Sequence, residues 1–111
     1  MASRLREFKK LVDKHFRQYK LPNEYAQLLH VTPNYLNNIT KEVWGKSPGA
    51  VIRERIILEA QRLLINVNLN VTEIAYQLNF HDNSYFTKFF KKYSGMTPEQ
   101  FRKHHGISNN L

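Results

Sequence analysis

Seven side chains in this sequence form two short clusters whose chemistry suits the edges of stacked bases: Asn34, Asn37 and Asn38, then Asn83, Ser84, Thr87 and Lys88. A carboxamide accepts and donates at once, so asparagine can pair with N6 and N7 of adenine in a major groove, a contact worth ~1–3 kcal/mol of discrimination. The first cluster therefore implies adenine-containing steps. Asparagine is also a mediocre helix former, and three of them in positions 34–38 call for more than solvation of an exposed face. Lys88 can donate to guanine or to phosphate, and a point-like ammonium does not choose between them. Lys41, Lys46, Lys91 and Lys92, with the helix starts at Thr32 and Thr72, suit phosphate, which sets register without reporting sequence.

Other chemistries find less support. His104 and His105 are adjacent and cannot converge on one metal, and no carboxylate pair complements His15, His30 or His81. With no cysteine there is no thiol nucleophile and no disulfide, and no nucleophile–base arrangement or cofactor motif is visible. At 111 residues the chain suits one domain, or two very small units, better than a catalytic cleft with its own scaffold, so no enzyme is expected. The net charge is +8 and the pI about 9.9. Twelve basic residues face six acidic ones in positions 1–70, and five face three in 71–111, so the basicity is not a tail. Such a surplus favours an anionic partner, nucleic acid ahead of membrane, because no apolar run approaches the ~20 residues that span a bilayer. Nothing at Met1 resembles a signal peptide, and a cysteine-free chain is compatible with the cytoplasm.

These side chains need short rigid supports, and helical periodicity supplies them. Positions 4–19 carry Leu5, Phe8, Leu11, Val12, Phe16 and Tyr19 on one stripe, opposite mostly basic residues. Asn23 is the expected cap of the next helix, with Tyr25, Ala26, Leu28 and Leu29 inward, and Val31 closes a turn. Thr32-Pro33 opens a third helix, a hydroxyl cap followed by a proline whose missing N–H costs nothing there. Its apolar stripe is Tyr35, Leu36, Ile39 and Val43, and it stops at Gly45 after Trp44, which is expected against the long helix that follows. Ser47-Pro48 opens that helix, to about Ile65; at ~1.5 Å per residue it is roughly 25 to 27 Å long. Its apolar residues lie on two faces, Ile52, Ile56, Ala60 and Leu63 against Val51, Leu58 and Ile65, so burial on both sides is expected. Asn70 and Glu73 form a capping box for a fifth helix. Asp82 caps a sixth that ends at Gly95, and Thr97-Pro98 opens a seventh with Phe101 as its main apolar contact. Phe86, Phe89, Phe90 and Tyr93 could stack on single-stranded bases, but their spacing suits a core stripe better. Arg53, Arg55 and Arg62 are expected to divide between salt links and phosphate, and residues 106–111 to fray.

The supports are duplicated. Glu24-Tyr25-Ala26 aligns with Glu73-Ile74-Ala75, Leu29 with Leu78 and Val31 with Phe80, all 49 positions apart. After one inserted residue the offset is 50, pairing Tyr35 with Tyr85, Leu36 with Phe86, Asn38 with Lys88, Lys41 with Lys91, Gly45 with Gly95 and Pro48 with Pro98. The expected architecture is all-α, about seven helices in two helix-turn-helix (homeodomain-like) units: residues 4–46, a linker helix over 47–65, and residues 70–105. Recognition helices held ~34 Å apart on one face could enter successive major grooves.

The run EIAYQLNFHDNSYFTKFFKKYSGMTPEQFRK, with RIILEAQRLL and YAQLLHVTPNYLNNITKEVWGKSP upstream, resembles the DNA-binding domain of AraC/XylS-family transcription regulators over about residues 5–104. The resemblance implies promoter binding, base reading from Asn34, Asn37 and Asn38 in the first unit and from Asn83, Ser84, Thr87 and Lys88 in the second, and a separate sensing and dimerising domain before this region. Asn79 stands where the family commonly has glycine, and Thr40 where the first recognition helix often has phenylalanine. The alternative function is a helical interaction module docking on RNA polymerase or on a sensor domain. RNA binding ranks lower, since A-form major grooves do not admit these helices.

Overall fold

Prolines and short polar caps divide residues 2–106, those described by this computed structural model, into seven α-helices with no strand among them. These are α1 (Ala2–His15), α2 (Pro22–Leu29), α3 (Pro33–Trp44), α4 (Pro48–Leu64), α5 (Val71–Gln77), α6 (Asn83–Ser94) and α7 (Pro98–His104). Residues 107–111, most of the expected frayed tail, lie outside the described residues. The starts of α3 to α7 each use a side chain to satisfy N–H groups that the helix itself leaves unpaired. Thr32 Oγ1 accepts from the Tyr35 amide at 3.0 Å, Ser47 Oγ from Ala50 at 3.2 Å and Asp82 Oδ1 from Tyr85 at 2.8 Å. Asn70 with Glu73, and Thr97 with Gln100, close reciprocal boxes. The start of α2 differs from expectation. Pro22 occupies the first turn, so the cap is Leu21 and not Asn23, and the Glu24 carboxylate accepts the Leu21 N–H at 3.0 Å. The first helix also ends at His15, before the expected Tyr19; a turn at 16–18 carries Phe16 into the core.

The chain divides into two compact units, Met1–Arg55 and Ile56–Leu111, with the division inside α4. In the first, α1 packs on α2 and α2 on α3. Leu5, Phe8, Val12 and Phe16 meet Tyr25, Ala26, Leu29, Leu36 and Ile39 in its core. The Phe8 ring meets Tyr25 edge-on at 5.6 Å and stacks near Trp44 at 6.4 Å. Burial pushes the Tyr25 phenol up, so it stays protonated and donates to the Tyr19 carbonyl at 2.6 Å. Arg55 donates to Asp13 at 3.0 Å and covers the Phe16 ring. The stripe of α3 is narrower than expected: Leu36, Ile39 and Thr40 are buried, whereas Tyr35 is 41% and Val43 53% exposed. Tyr35 is turned ~100° from Leu36, and Val43 lies in the last turn at the rim of the core. Leu28 is likewise exposed.

In the second unit α5 packs on α6 and α6 on α7. Its aromatics run as a chain: Phe80 to Phe86 at 5.2 Å, Phe86 to Phe90 at 5.9 Å, and Phe90 edge-on to Phe101 at 5.8 Å. Phe89 is half-buried and Tyr93 exposed, so the expected stripe holds at Phe86 and Phe90 and fades beside them. Arg102, on a helix whose last turn is otherwise basic surface, is only 6% exposed. Its Nε donates to the Leu64 carbonyl at 2.8 Å and its Nη2 to the carbonyls of Asn66 and Leu69, satisfying acceptors left open where α4 stops. Burial of α4 on two faces is not found. Ile52, Ile56, Ile57, Glu59, Ala60, Leu63 and Leu64 fill one broad arc, and the opposite side leaves Leu58 and Ile65 more than half exposed. The buried Glu59 carboxylate is held by Arg62 at 2.5 Å.

Candidate nucleic-acid interface

Both helix-turn-helix corners are built from the same backbone bonds. Val31 N–H reaches back to the Ala26 carbonyl at 3.0 Å, and Phe80 N–H to Ala75 at 2.9 Å, each bond spanning one residue in the left-handed region: His30 at φ 57° and Asn79 at φ 59°. Asparagine tolerates that region, so Asn79 can stand where the family commonly has glycine. His30 was not anticipated there; its alignment 49 positions before Asn79 was the available signal. The inserted residue of the second corner is His81, fully outward beside the cap Asp82. Each recognition helix then ends on a left-handed glycine, Gly45 or Gly95.

With corners and ends matched, the two helices display matched stripes. On α3, Asn34, Asn37, Asn38 and Lys41 occupy positions i, i+3, i+4 and i+7, and on α6 the same spacing carries Ser84, Thr87, Lys88 and Lys91. In both, the second residue is half-buried and the other three exposed. The first stripe therefore presents three carboxamides and an ammonium, the second two hydroxyls and two ammoniums. Asn83, placed with the readers of the second cluster, is half-buried and tied to the protein itself. It donates to Thr72 Oγ1 at 3.0 Å and accepts from Thr87 Oγ1 at 3.0 Å, which leaves one N–H and one lone pair facing outward. Thr72, as acceptor in that chain, keeps its own proton for a further acceptor. Lys46 is engaged by Glu54 at 2.9 Å, so a phosphate would have to displace a carboxylate. Lys92 lies 5.3 Å from the Tyr93 ring centroid, with Lys41 and Lys91 exposed. Two exposed aromatics join the display without having been counted in it, Tyr35 and Tyr85, the latter 62% exposed. Their pairing in the repeat was the clue.

A family model described as a helix-turn-helix domain matches residues 25–104. The HTH-type transcriptional regulator ExsA of Pseudomonas aeruginosa is 31% identical over 93 residues, 83% of this chain and 33% of its own length. The virulence regulon transcriptional activator VirF of Yersinia enterocolitica is 43% identical over 60 residues, 54% of this chain and 22% of its own length. The chain thus spans between about a fifth and a third of these curated relatives. Among solved structures, the C-terminal domain of AraT, a response regulator from Geobacillus stearothermophilus, superposes with a TM-score of 0.84 at 30% identity, over 97% of this chain and 90% of that one. A Chromobacterium violaceum regulator with an AraC-type DNA-binding domain shares the fold at TM-score 0.79 and 19% identity, over 92% and 91% of the two chains. The relatives are transcription regulators and not enzymes, and with both corners and both recognition helices inside the matched range, this chain belongs to the AraC-type helix-turn-helix family of DNA-binding regulator domains.

Proposed function

We propose that the chain binds double-stranded promoter DNA sequence-specifically, with α3 and α6 in successive major grooves. The observation that carries this is the pair of stripes, equal in spacing and exposure and different in chemistry. Equal geometry suits one ligand with a repeating groove; different chemistry suits two different half-sites, so one chain can address a long asymmetric site. In this reading Asn34, Asn37 and Asn38 contact adenine edges, and Ser84, Thr87 and Lys88 read the second half-site with Asn83 as the residue that orients Thr87. Thr32, Lys41, Thr72, Lys91 and Lys92 take phosphate, and Lys46 does so only after leaving Glu54. A regulator acting on such a site works in the cytoplasm. The more than half-exposed Leu58 on α4 and Ile65 just past its end favour one addition, contact with a protein such as RNA polymerase while on DNA.

Selection of bound sequences from a random duplex pool tests the reading. Wild type should enrich two unlike half-sites about one helical turn apart. Asn37→Ala with Asn38→Ala should erase base preference in one half-site only, whereas Lys91→Ala should weaken cognate and random duplex alike and flatten the slope of log K against log salt by about 0.9. Loss of equal size on cognate and random duplex for both variants would overturn the assignment of readers and grips.

A further inference from the structure

Beside the first turn of α3 lies a shallow open depression of about 460 Å3, lined by Arg4, His30, Val31, Thr32 and Tyr35. Four of these five carry hydrogen-bond donors, and no carboxylate lines it. Arg4 comes from α1, an element with no part in the stripes. Its Nη1 donates to the Leu29 carbonyl at 2.9 Å, which fixes the guanidinium against the end of α2 while its other N–H groups stay available. Glu7 approaches Arg4 only at 3.7 Å, as an exposed pair of the kind that contributes little. Thr32 Oγ1 accepts the Tyr35 amide and so keeps its own proton to donate outward. The Tyr35 side chain is exposed beside it, and His30 stands at the left-handed corner.

The second unit shows what this arrangement is not. There the cap equivalent to Thr32 is Asp82, an exposed carboxylate that takes the place a phosphate would want. A guanidinium, an imidazole and two hydroxyls collected around a neutral cap form a receptor for a phosphate oxygen. Being open and shallow, the depression does not enclose a small molecule, which needs most of its surface covered. A phosphate delivered by a duplex needs one face only.

We propose that this depression seats one backbone phosphate of the bound duplex, with Arg4 as its charged partner and His30, Thr32 and Tyr35 as donors, setting the register from which Asn34, Asn37 and Asn38 read. The proposal rests on duplex binding as proposed above and adds a contact confined to the first unit.

A set of selected-site duplexes, each with one neutral methylphosphonate linkage, locates the contact. At one linkage next to the asparagine-read half-site, wild type should lose about tenfold in affinity, the size expected for a charge-assisted hydrogen bond. Arg4→Gln should show that loss already on unmodified duplex, cognate and random alike, and lose nothing more at that linkage. Tyr35→Phe, which removes one exposed hydroxyl and leaves folding intact, should show a smaller loss with the same lack of additivity. If the variants bind unmodified duplex normally, or if their losses add to those of every methylphosphonate, the phosphate seat is wrong while duplex binding stands. If wild type binds no duplex, both readings fall. Saturable binding of inorganic phosphate at submillimolar concentration, seen as amide shifts over residues 32–35 and competing with duplex, would make a free anion the ligand and overturn the proposal.

Discussion

The two units hold the same corner with different interiors. In the first, the large buried aromatics come from α1, the turn after it and α2, namely Phe8, Phe16 and Tyr25, while α3 contributes Leu36, Ile39 and Thr40. In the second, three come from the corner and the recognition helix itself, Phe80, Phe86 and Phe90, and a fourth, Phe101, comes from α7. Thr40 and Phe90 stand at the same place in the repeat, 50 positions apart, and both are 0% exposed. Thr40 turns its hydroxyl onto the Asn37 carbonyl at 3.1 Å, a local bond that makes its burial tolerable. The position of a recognition helix is therefore set by its cap, its corner and its closing glycine. What fills the space beneath it is free to differ, so long as volume is made up from a neighbouring helix.

That division of labour can be broken at its most loaded point. Phe90→Ala should cost about 3–5 kcal/mol, since it opens a cavity between Phe86 and Phe101 that no neighbour fills. Thr40→Ala, at the matched position, should cost about 1 kcal/mol, because little volume goes and the freed carbonyl belongs to the α3 ladder. Trp44 is the sole tryptophan and lies in the first unit, so its fluorescence follows Thr40→Ala, while hydrogen exchange in α6 and α7 follows Phe90→Ala. Equal costs would mean that the recognition helices depend on their own buried residues to the same degree.

Arg102 belongs to the second unit alone and should give the next largest effect. Arg102→Met keeps length and apolar stem but strands the carbonyls of Leu64, Asn66 and Leu69, so about 2–4 kcal/mol is expected, with exchange in residues 66–71 accelerated first. A loss confined to DNA affinity, with exchange unchanged, would move Arg102 from the interior to the interface.

Which features the sequence disclosed follows from their range. Caps such as Thr32, Asn70, Asp82 and Thr97 act within three residues, and the corner at Asn79 is announced by a residue that favours positive φ; all were legible. The 3.6-residue period placed the polar outer stripe of α3 because Asn34, Asn37, Asn38 and Lys41 are polar where Leu36 and Ile39 are apolar. The residues that escaped depend on distant partners. Arg102 lies on a helix rich in surface charge, and only the end of α4, 38 positions earlier, explains its burial. Tyr35 fits an apolar stripe by type and is excluded from it by angle. Asn23 was a good cap by chemistry, yet the rigid ring of Pro22 had already begun the helix at Leu21. The place of Arg4 in the depression beside α3 was hidden for the same reason as Arg102, since Arg4 meets Leu29 25 positions away.

The smallest effect concerns Lys20, whose counterpart 49 positions on is the half-buried Leu69. Burial lowers the Lys20 ammonium to about 8 from its usual 10.5, because the charged form loses solvation in the fold. Between those two values the unfolded chain holds the proton and the folded chain has released it, so unfolding takes up a proton and stability rises with pH across that window. Below about 8 the cost of carrying the charge is present in full. Lys20→Leu, which copies the second unit, should therefore stabilise the first unit near neutral pH and lose that advantage as pH approaches 10. The measurement is the urea midpoint of Trp44 fluorescence for wild type and variant at pH 7 and pH 9.5, the difference between the two gaps isolating Lys20 from other titrating groups. A gap that is the same at both pH values would show that Lys20 keeps its water in the folded chain, and that this position does not separate the two units.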